Sequence, residues 1–294
     1  AQADPYSIPL EKIDVSDSEP FATDTLWGYF ERLRKEDPVH YCAESEFGPY
    51  WSVTRFNDIV TVEKDPKTFS SAKSIVLPDP DPEFPLETGF ISMDGPNHLA
   101  QRNVAQPVLS PRNLKVLEPL IRERVIEILD DLPLGETFDW VDRVSIELTT
   151  GMLATLFDFP YDQRRKLTHW SDVATAPPGT GIVDSAEQRR DELMECLAYF
   201  TRLWNERVDQ EVPGSDLISM LANGEDTKDM QPHEFLGNLI LLIVGGNDTT
   251  RNSMSAGVLA LNQNPAEYDK LRKDPSLIPN MVSEIIRWHT PLPY

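Results

Sequence analysis

Cysteine is nearly absent from this sequence. Cys42 and Cys196 are the only two in 294 residues, far apart and in neither a CxxC pair nor a metal-ligand spacing. That excludes a disulfide framework and points to a reducing cytoplasm. Positive charge is also scarce, with 27 Lys and Arg against 49 Asp and Glu, a net charge of -22. A nucleic-acid binder needs basic surface to displace counterions, and a polybasic membrane anchor needs it for anionic lipid, so both classes are set aside. No stretch of 18 apolar residues occurs, which excludes a membrane-spanning helix. The most apolar run, Phe235–Val244, is interrupted by Gly237 and Asn238. The start, Ala1-Gln-Ala-Asp-Pro, has no basic region, no apolar region and no initiator Met; it reads as an N-terminus that is trimmed or not fully represented, and not as a signal peptide. Internal repeats and low-complexity tracts are lacking as well.

The residues that are present suit a folded helical protein. Apolar residues make up 40% of the chain, enough for a sizeable core. The 25 prolines cluster in short punctuating segments, as in helices joined by loops. Residues 1–23 read as an extended arm. Thr25–Lys35 places Leu26, Tyr29, Phe30 and Leu33 on one helical face. Pro38–Cys42 and Tyr50–Thr54 read as two strands around a Gly48-Pro49 turn, the one strong β signal. A short helix is expected at Asn57–Lys64. Residues 72–95 contain Leu77-Pro-Asp-Pro-Asp-Pro-Glu-Phe-Pro and read as a long loop. Beyond it the spacing predicts helices near 97–108, 112–131, 140–158, 161–175, 186–211, 231–261, 265–273 and 278–289. The expected architecture is mainly α with a small N-terminal β-sheet. It comprises a small β-rich region at 24–71 and a helical region at 97–289.

The most informative segment is Leu239-Ile-Leu-Leu-Ile-Val-Gly-Gly-Asn-Asp-Thr-Thr-Arg251. A helix apolar on most sides should be buried. Two adjacent glycines nevertheless cost about 1 kcal/mol each against Ala in a helix interior. A buried carboxylate at Asp248 costs several times more unless it is paired or protonated. Local rules broken together in this way are a mark of functional sites. One chemistry that fits is proton delivery into a groove. Gly245 and Gly246 would let a ligand approach the backbone, Asp248 would relay protons and Thr249 would hydrogen-bond the groove's occupant. A Thr hydroxyl can also bond back to a carbonyl one turn earlier and bend the helix. The alternative is a helix end, with Gly-Gly as the stop and Asn247 or Asp248 capping a new helix.

Gly245-Gly-Asn-Asp-Thr-Thr250 resembles the oxygen-binding motif in the long central helix of cytochrome P-450 monooxygenases. The wider string Leu241–Met254 is similar to the bacterial soluble alkane ω-hydroxylase branch. Two further motifs follow the same order. His98-Leu-Ala-Gln-Arg102 resembles the family's His-x-x-x-Arg pair, whose spacing puts both cations on one helical face. Glu284-Ile-Ile-Arg287 resembles the family's buried Glu-x-x-Arg ion pair. Glu31-x-x-Arg34 and Glu187-x-x-Arg190 share that spacing but lie in more polar segments and read as solvated pairs. The resemblance runs along the chain as the N-terminal two-thirds of one cytochrome P-450 domain over 1–294. The family's haem-ligand loop with its cysteine is expected beyond Tyr294, and Cys42 and Cys196 lack that loop's pattern.

The resemblance implies an iron-containing oxidoreductase. It would use haem b, O2 and two electrons from a ferredoxin and ferredoxin reductase to hydroxylate unactivated C–H bonds, at the terminal carbon of medium-chain alkanes or fatty acids. His98 and Arg102 would meet the haem propionates. Gly245 and Gly246 would line the oxygen groove, with Asp248 and Thr249 as catalytic residues, and no metal ligand is assigned in this sequence. The Glu284–Arg287 pair would hold the fold. Leu241, Val244 and Gly245 precede Thr249 by eight, five and four residues and should share its side as an apolar wall for substrate. The 72–95 loop and the Pro177-Pro-Gly break are candidate lids. Phe84, Leu86, Phe90 and Ile91 are either substrate contacts or ordinary loop anchors. Arg102, Arg112, Lys115, Arg122 and Arg124 form a sequence cluster that would dock an acidic electron donor, or else a solvated helix face with Glu118, Glu123 and Glu127. Two other classes remain: a non-catalytic helical protein binding a hydrophobic ligand, and a hydrolase using Asp248 or Glu284. No His stands at a nucleophile–base spacing to support the hydrolase.

Overall fold

The computed structural model of the chain describes residues 4–72, 74–79, 84, 89–208, 210–212 and 214–292. The chain divides into two compact units, residues 1–98 and 99–294.

In the first unit, α1 (Ser18–Ala22) and α2 (Trp27–Glu36) precede a hairpin of β1 (Val39–Cys42) and β2 (Tyr50–Val53), followed by α3 (Phe56–Glu63). The hairpin is antiparallel, with Val39 opposite Val53 and Tyr41 opposite Trp51. Alternation along β1 buries His40 and Cys42 and leaves Val39 and Tyr41 outside, where Tyr41 packs on Trp51 at 4.8 Å. The segment expected as an extended arm contains α1 and is fastened down. Arg32 donates to the carbonyls of Pro5 and Ile8 at 2.6 and 2.7 Å. The Tyr50 hydroxyl donates to Asp14 at 2.7 Å. Buried His40 lies between the Asp37 carboxylate, 2.8 Å from Nδ1, and the Ile13 carbonyl, 2.9 Å from Nε2. Buried polar groups that find partners in this way hold an irregular segment without regular structure. Among the described residues of 72–95, only the single turn Phe90–Ser92 is ordered as helix. Phe90 is buried with its ring edge-on to His98, Phe84 and Ile91 are half-buried, and Leu86 lies outside the described residues.

The second unit is helical. It runs through α4 (Asn97–Ala105, which begins in the first unit), α5 (Pro111–Asp130), α6 (Glu147–Phe157), α7 (Arg165–Thr175) and α8 (Ala186–Asn205). Then follow α9 (Leu217–Asn223), α10 (Pro232–Gln263), α11 (Pro265–Lys273) and α12 (Ile278–His289). A wide-turn segment, Val141–Ile146, leads directly into α6. The 186–211 expectation is too long, since α8 stops at Asn205, and α9 was not expected at all.

The 32-residue helix α10 is the axis of this unit. Pro232 stands at its first turn, and Gln231 and Glu234 form a reciprocal cap that sets its start. Its flank Phe235, Leu236, Leu239, Ile240 and Ile243 is buried, and α7, α6 and α12 pack around it. α7 contributes Leu167, Trp170 and Val173 to the core, and Trp170 joins Phe157, Phe159, Tyr199 and Phe200 in one aromatic cluster. No described helix is long and apolar enough to cross a membrane.

Candidate active site

The Gly-Gly-Asn-Asp-Thr-Thr segment lies within unbroken helix α10, so neither glycine ends a helix. The two glycines answer different needs. A Cβ on Gly246 would stand 2.6 Å from Leu153 Cδ2, so α6 can approach α10 only because that side chain is missing. A Cβ on Gly245 would meet nothing within 4 Å. The expected pair of groove glycines thus separates: Gly245 is exposed on the open side, and Gly246 is held against α6.

Helical periodicity places Leu241, Val244, Gly245, Asp248 and Thr249 on one side of α10. None of the five is fully buried, whereas Ile243 and Asn247 on the other side are. Thr249 donates its hydroxyl to the Gly245 carbonyl at 2.8 Å, and Ser253 and Ser255 make the same one-turn back-bond further along. C-terminal to this wall, Thr249 and Thr250 edge a cavity of about 680 Å³ lined mainly by apolar side chains, among them Val144, Leu148, Met254 and Ile285. Leu241 and Val244 do not line it.

Asp248 is set in a chain of polar contacts. Its Oδ1 accepts from Arg251 Nη2 at 2.8 Å and from Asn247 Nδ2 at 3.0 Å. Fully buried Asn247 accepts in turn from Thr149 on α6 at 3.0 Å. Arg251 also reaches Asp172 on α7, 3.3 Å from each of its two terminal nitrogens. Burial pushes the Asp248 carboxyl above its ordinary value of 3.8, against the pull of Arg251, and the negative charge of Asp172 adds to the rise. Arg251, Asp172 and Thr149 carried no assigned role in the sequence, and Asn247 stood there only as the cap of a new helix in the alternative reading. Only the three-residue spacing of Asp248 and Arg251 could have shown the contact, because Asp172 lies 79 positions from Arg251.

The remaining site residues are dispersed. His98 and Arg102 share α4 four residues apart; His98 is half-buried and Arg102 is exposed, with no ion pair among the described residues. Glu284 and Arg287 do pair, through two 2.7 Å bonds, but their side chains are 60% and 65% exposed. The expected pair forms, and it stands at the surface of this chain. α12 turns the Ile285 side toward α10, where Ile285 Cδ1 would lie 2.9 Å from a Cβ on Gly257, so Glu284 and Arg287 fall on its outer flanks. Arg112, Lys115 and Arg122 are exposed, whereas Arg124 leaves the surface cluster to donate to the Gly151 carbonyl and to cover the Tyr161 ring. Both cysteines are buried, and burial raises the Cys196 thiol well above its ordinary value.

No family model matches the chain. Individual proteins do. The chain is 32% identical over 295 residues to linalool 8-monooxygenase of Pseudomonas putida, an alignment covering 96% of this chain and 72% of that protein. It is 28% identical to a methyl-branched lipid omega-hydroxylase of Mycobacterium tuberculosis, covering 99% of this chain and 71% of that one. Among solved structures, cytochrome P450-153 of Novosphingobium aromaticivorans superposes with a TM-score of 0.84 at 44% identity, over 94% of this chain and 69% of that chain. CYP153D17 of a Sphingomonas species does so with 0.85 at 46% identity, over 95% and 70%. Sequence and architecture agree along nearly the whole chain, and the protein belongs to the cytochrome P450 family of monooxygenases.

Proposed function

We propose that this chain serves a haem-dependent hydroxylation of unactivated C–H bonds, at the terminal carbon of a medium-chain alkane or fatty acid. The observation that carries the reading is the open face of α10 at Gly245, with Asp248 and Thr249 one turn beyond it. A missing side chain lets a planar group come close to the helix backbone, and Gly245 provides that place. The names of the linalool monooxygenase and the lipid omega-hydroxylase point to hydrophobic substrates, the second to a chain terminus.

Haem b is the cofactor of this reading. His98 and Arg102 would hold its propionates, with the exposed Arg102 guanidinium as the stronger donor. Gly245 and Gly246 would line it, Gly246 through backbone alone because its Cα is committed to Leu153. When bound through a thiolate, haem supplies the reductive activation of O2 that C–H oxidation requires. Neither cysteine of this sequence suits that thiolate, since Cys42 and Cys196 are both buried and lie in β1 and α8. The other steps belong to side chains. Leu241, Val244 and Gly245 form an apolar wall that orients an alkyl chain and excludes water. Asp248, which holds its proton more readily than an ordinary carboxylate, passes it toward Thr249. Thr249 must release the Gly245 carbonyl before its hydroxyl can donate into the groove.

Electrons come in this reading from a ferredoxin and its reductase, docked at exposed Arg102, Arg112, Lys115 and Arg122. Residues 1–294 belong to one cytochrome P450 domain, with its β-rich region at 24–71 and its helical region at 97–289. The protein works in the cytoplasm, where both thiols stay reduced.

The test is Thr249→Ala. Electron consumption should continue while hydroxylated product per electron falls; an unchanged yield refutes the proton role. One observation favours a second reading, a helical protein that only binds a hydrophobic ligand: the cavity of about 680 Å³ is lined mainly by apolar side chains and lies apart from the wall of Leu241 and Val244. In that case neither the wild type nor the variant consumes electrons.

A further inference from the structure

We propose that Asp172, on α7, is a positioning residue for proton supply at Asp248, acting through the Arg251 guanidinium that the two carboxylates share. The inference rests on the assignment of Asp248 as the proton donor.

The geometry is that of two anions competing for one cation. Arg251 is 15% exposed, Asp248 18% and Asp172 33%, so all three interact through protein more than through water. Arg251 stands 2.8 Å from Asp248 and 3.3 Å from Asp172. One guanidinium neutralises one carboxylate, and the cluster of three keeps a net negative charge unless a carboxyl is protonated. That excess charge falls on the acid in the drier position, Asp248. Each bond that Arg251 spends on Asp172 weakens its hold on Asp248 and makes the ionised form there less favourable. The other groups facing Asp248 are uncharged: Asn247 on α10, backed by Thr149 of α6, and the Ser171 hydroxyl on α7. The one negative charge that reaches the acid from another element is therefore Asp172. It comes from α7, the helix most extensively packed on α10, so the placement of α7 sets how Arg251 is divided.

The experiment is a carboxyl-carbon NMR titration of the full chain labelled at aspartate, with the Asp248 signal assigned by its loss in Asp248→Asn. Asp172→Asn should lower the Asp248 midpoint by about half a pH unit, roughly a threefold change in proton affinity. Asp172→Glu should restore it, and Arg251→Gln should raise it. In the Arg251→Gln background, Asp172→Asn should have a smaller effect, because the shared cation is gone. An Asp248 midpoint that is unchanged or raised in Asp172→Asn overturns the proposal, and Asp172→Ala serves the same purpose if the amide variant does not fold. In turnover, the pH profile of product per electron should move toward acid in Asp172→Asn with KM unchanged. The titration needs neither haem nor O2. A shifted midpoint beside an unaltered Thr249→Ala yield keeps the clamp and rejects the proton role; the opposite pair of results rejects the clamp alone.

Discussion

The Thr249 hydroxyl donates to the carbonyl of Gly245, one turn back along α10 and at 2.8 Å. The residue that can reach an occupant of the open face is thus tied to the residue that makes the face open. A Thr in a helix divides between two rotamers, one of which makes this back-bond. In that rotamer its single proton is spent, and toward any other partner it is an acceptor. The site as folded is a resting arrangement that a ligand must alter.

Adjacent glycines with different surroundings should respond differently to the same substitution. Gly246→Ala drives a Cβ to 2.6 Å from Leu153, a core residue 3% exposed, and should destabilise the fold by about 1–3 kcal/mol through overpacking. Gly245→Ala meets open space and should stabilise the helix by about 0.5–1 kcal/mol while impairing haem binding. Urea unfolding of the two variants, with haem content measured in parallel, checks both signs.

The raised Asp248 carboxyl fixes the sign of a pH effect. In the folded chain this group keeps its proton above 3.8, whereas in the unfolded chain it releases it there. Between the two values the native state binds more protons, so this group's contribution to stability falls as pH rises. Asp248→Asn removes that contribution. The variant should be more stable than wild type at neutral pH, with the advantage shrinking as pH falls through the raised folded-state value and gone once it drops below 3.8, and thermal melts across pH follow it. A loss of stability at neutral pH would mean that Arg251 depends on Asp248 more than burial opposes it.

The sequence displayed the helices because their apolar periods are long, and α10 most clearly because its own breaches of pattern mark it. α9 was hidden by its seven residues, too few to establish a period. The fastening of the N-terminal segment depends on the Arg32 and His40 side chains meeting backbone carbonyls more than twenty residues away, which no local pattern encodes. The same holds in the site. Gly245, Asp248 and Thr249 are consecutive enough to be read together, but the reasons for Gly246 and for Arg251 lie on α6 and α7. The Glu284–Arg287 spacing was legible and its exposure was not, because spacing does not say which flank of a helix its neighbours cover.

That exposure leads to a further outcome. Glu284→Gln removes the negative charge and one of the two 2.7 Å bonds, yet both partners face solvent, where water replaces the pair and salt screens it. The unfolding midpoint of this chain should scarcely move, and the small difference should vanish at high ionic strength. A large loss would show that the pair is covered in solution.

Arg207 is the opposite case. Its side chain is 8% exposed, donates to the Leu203 carbonyl and to Asp158 at 2.8 Å, and stands 3.4 Å from Asp216, itself 12% exposed. Asp158 ends α6 in a left-handed turn, Asp216 caps α9 and Arg207 closes α8, so one guanidinium joins three helix ends. Arg207→Met keeps most of the stem and removes the charge, which leaves Asp216 nearly buried without its cation. Breaking a buried pair from one side costs about 3–5 kcal/mol, far more than losing an exposed pair. Denaturant unfolding should show a loss of that size. In the double variant Arg207→Met with Asp216→Asn, part of it should be recovered, because the stranded charge is then gone. If the double variant is no more stable than the single one, the loss comes from the severed helix ends and not from the uncompensated carboxylate.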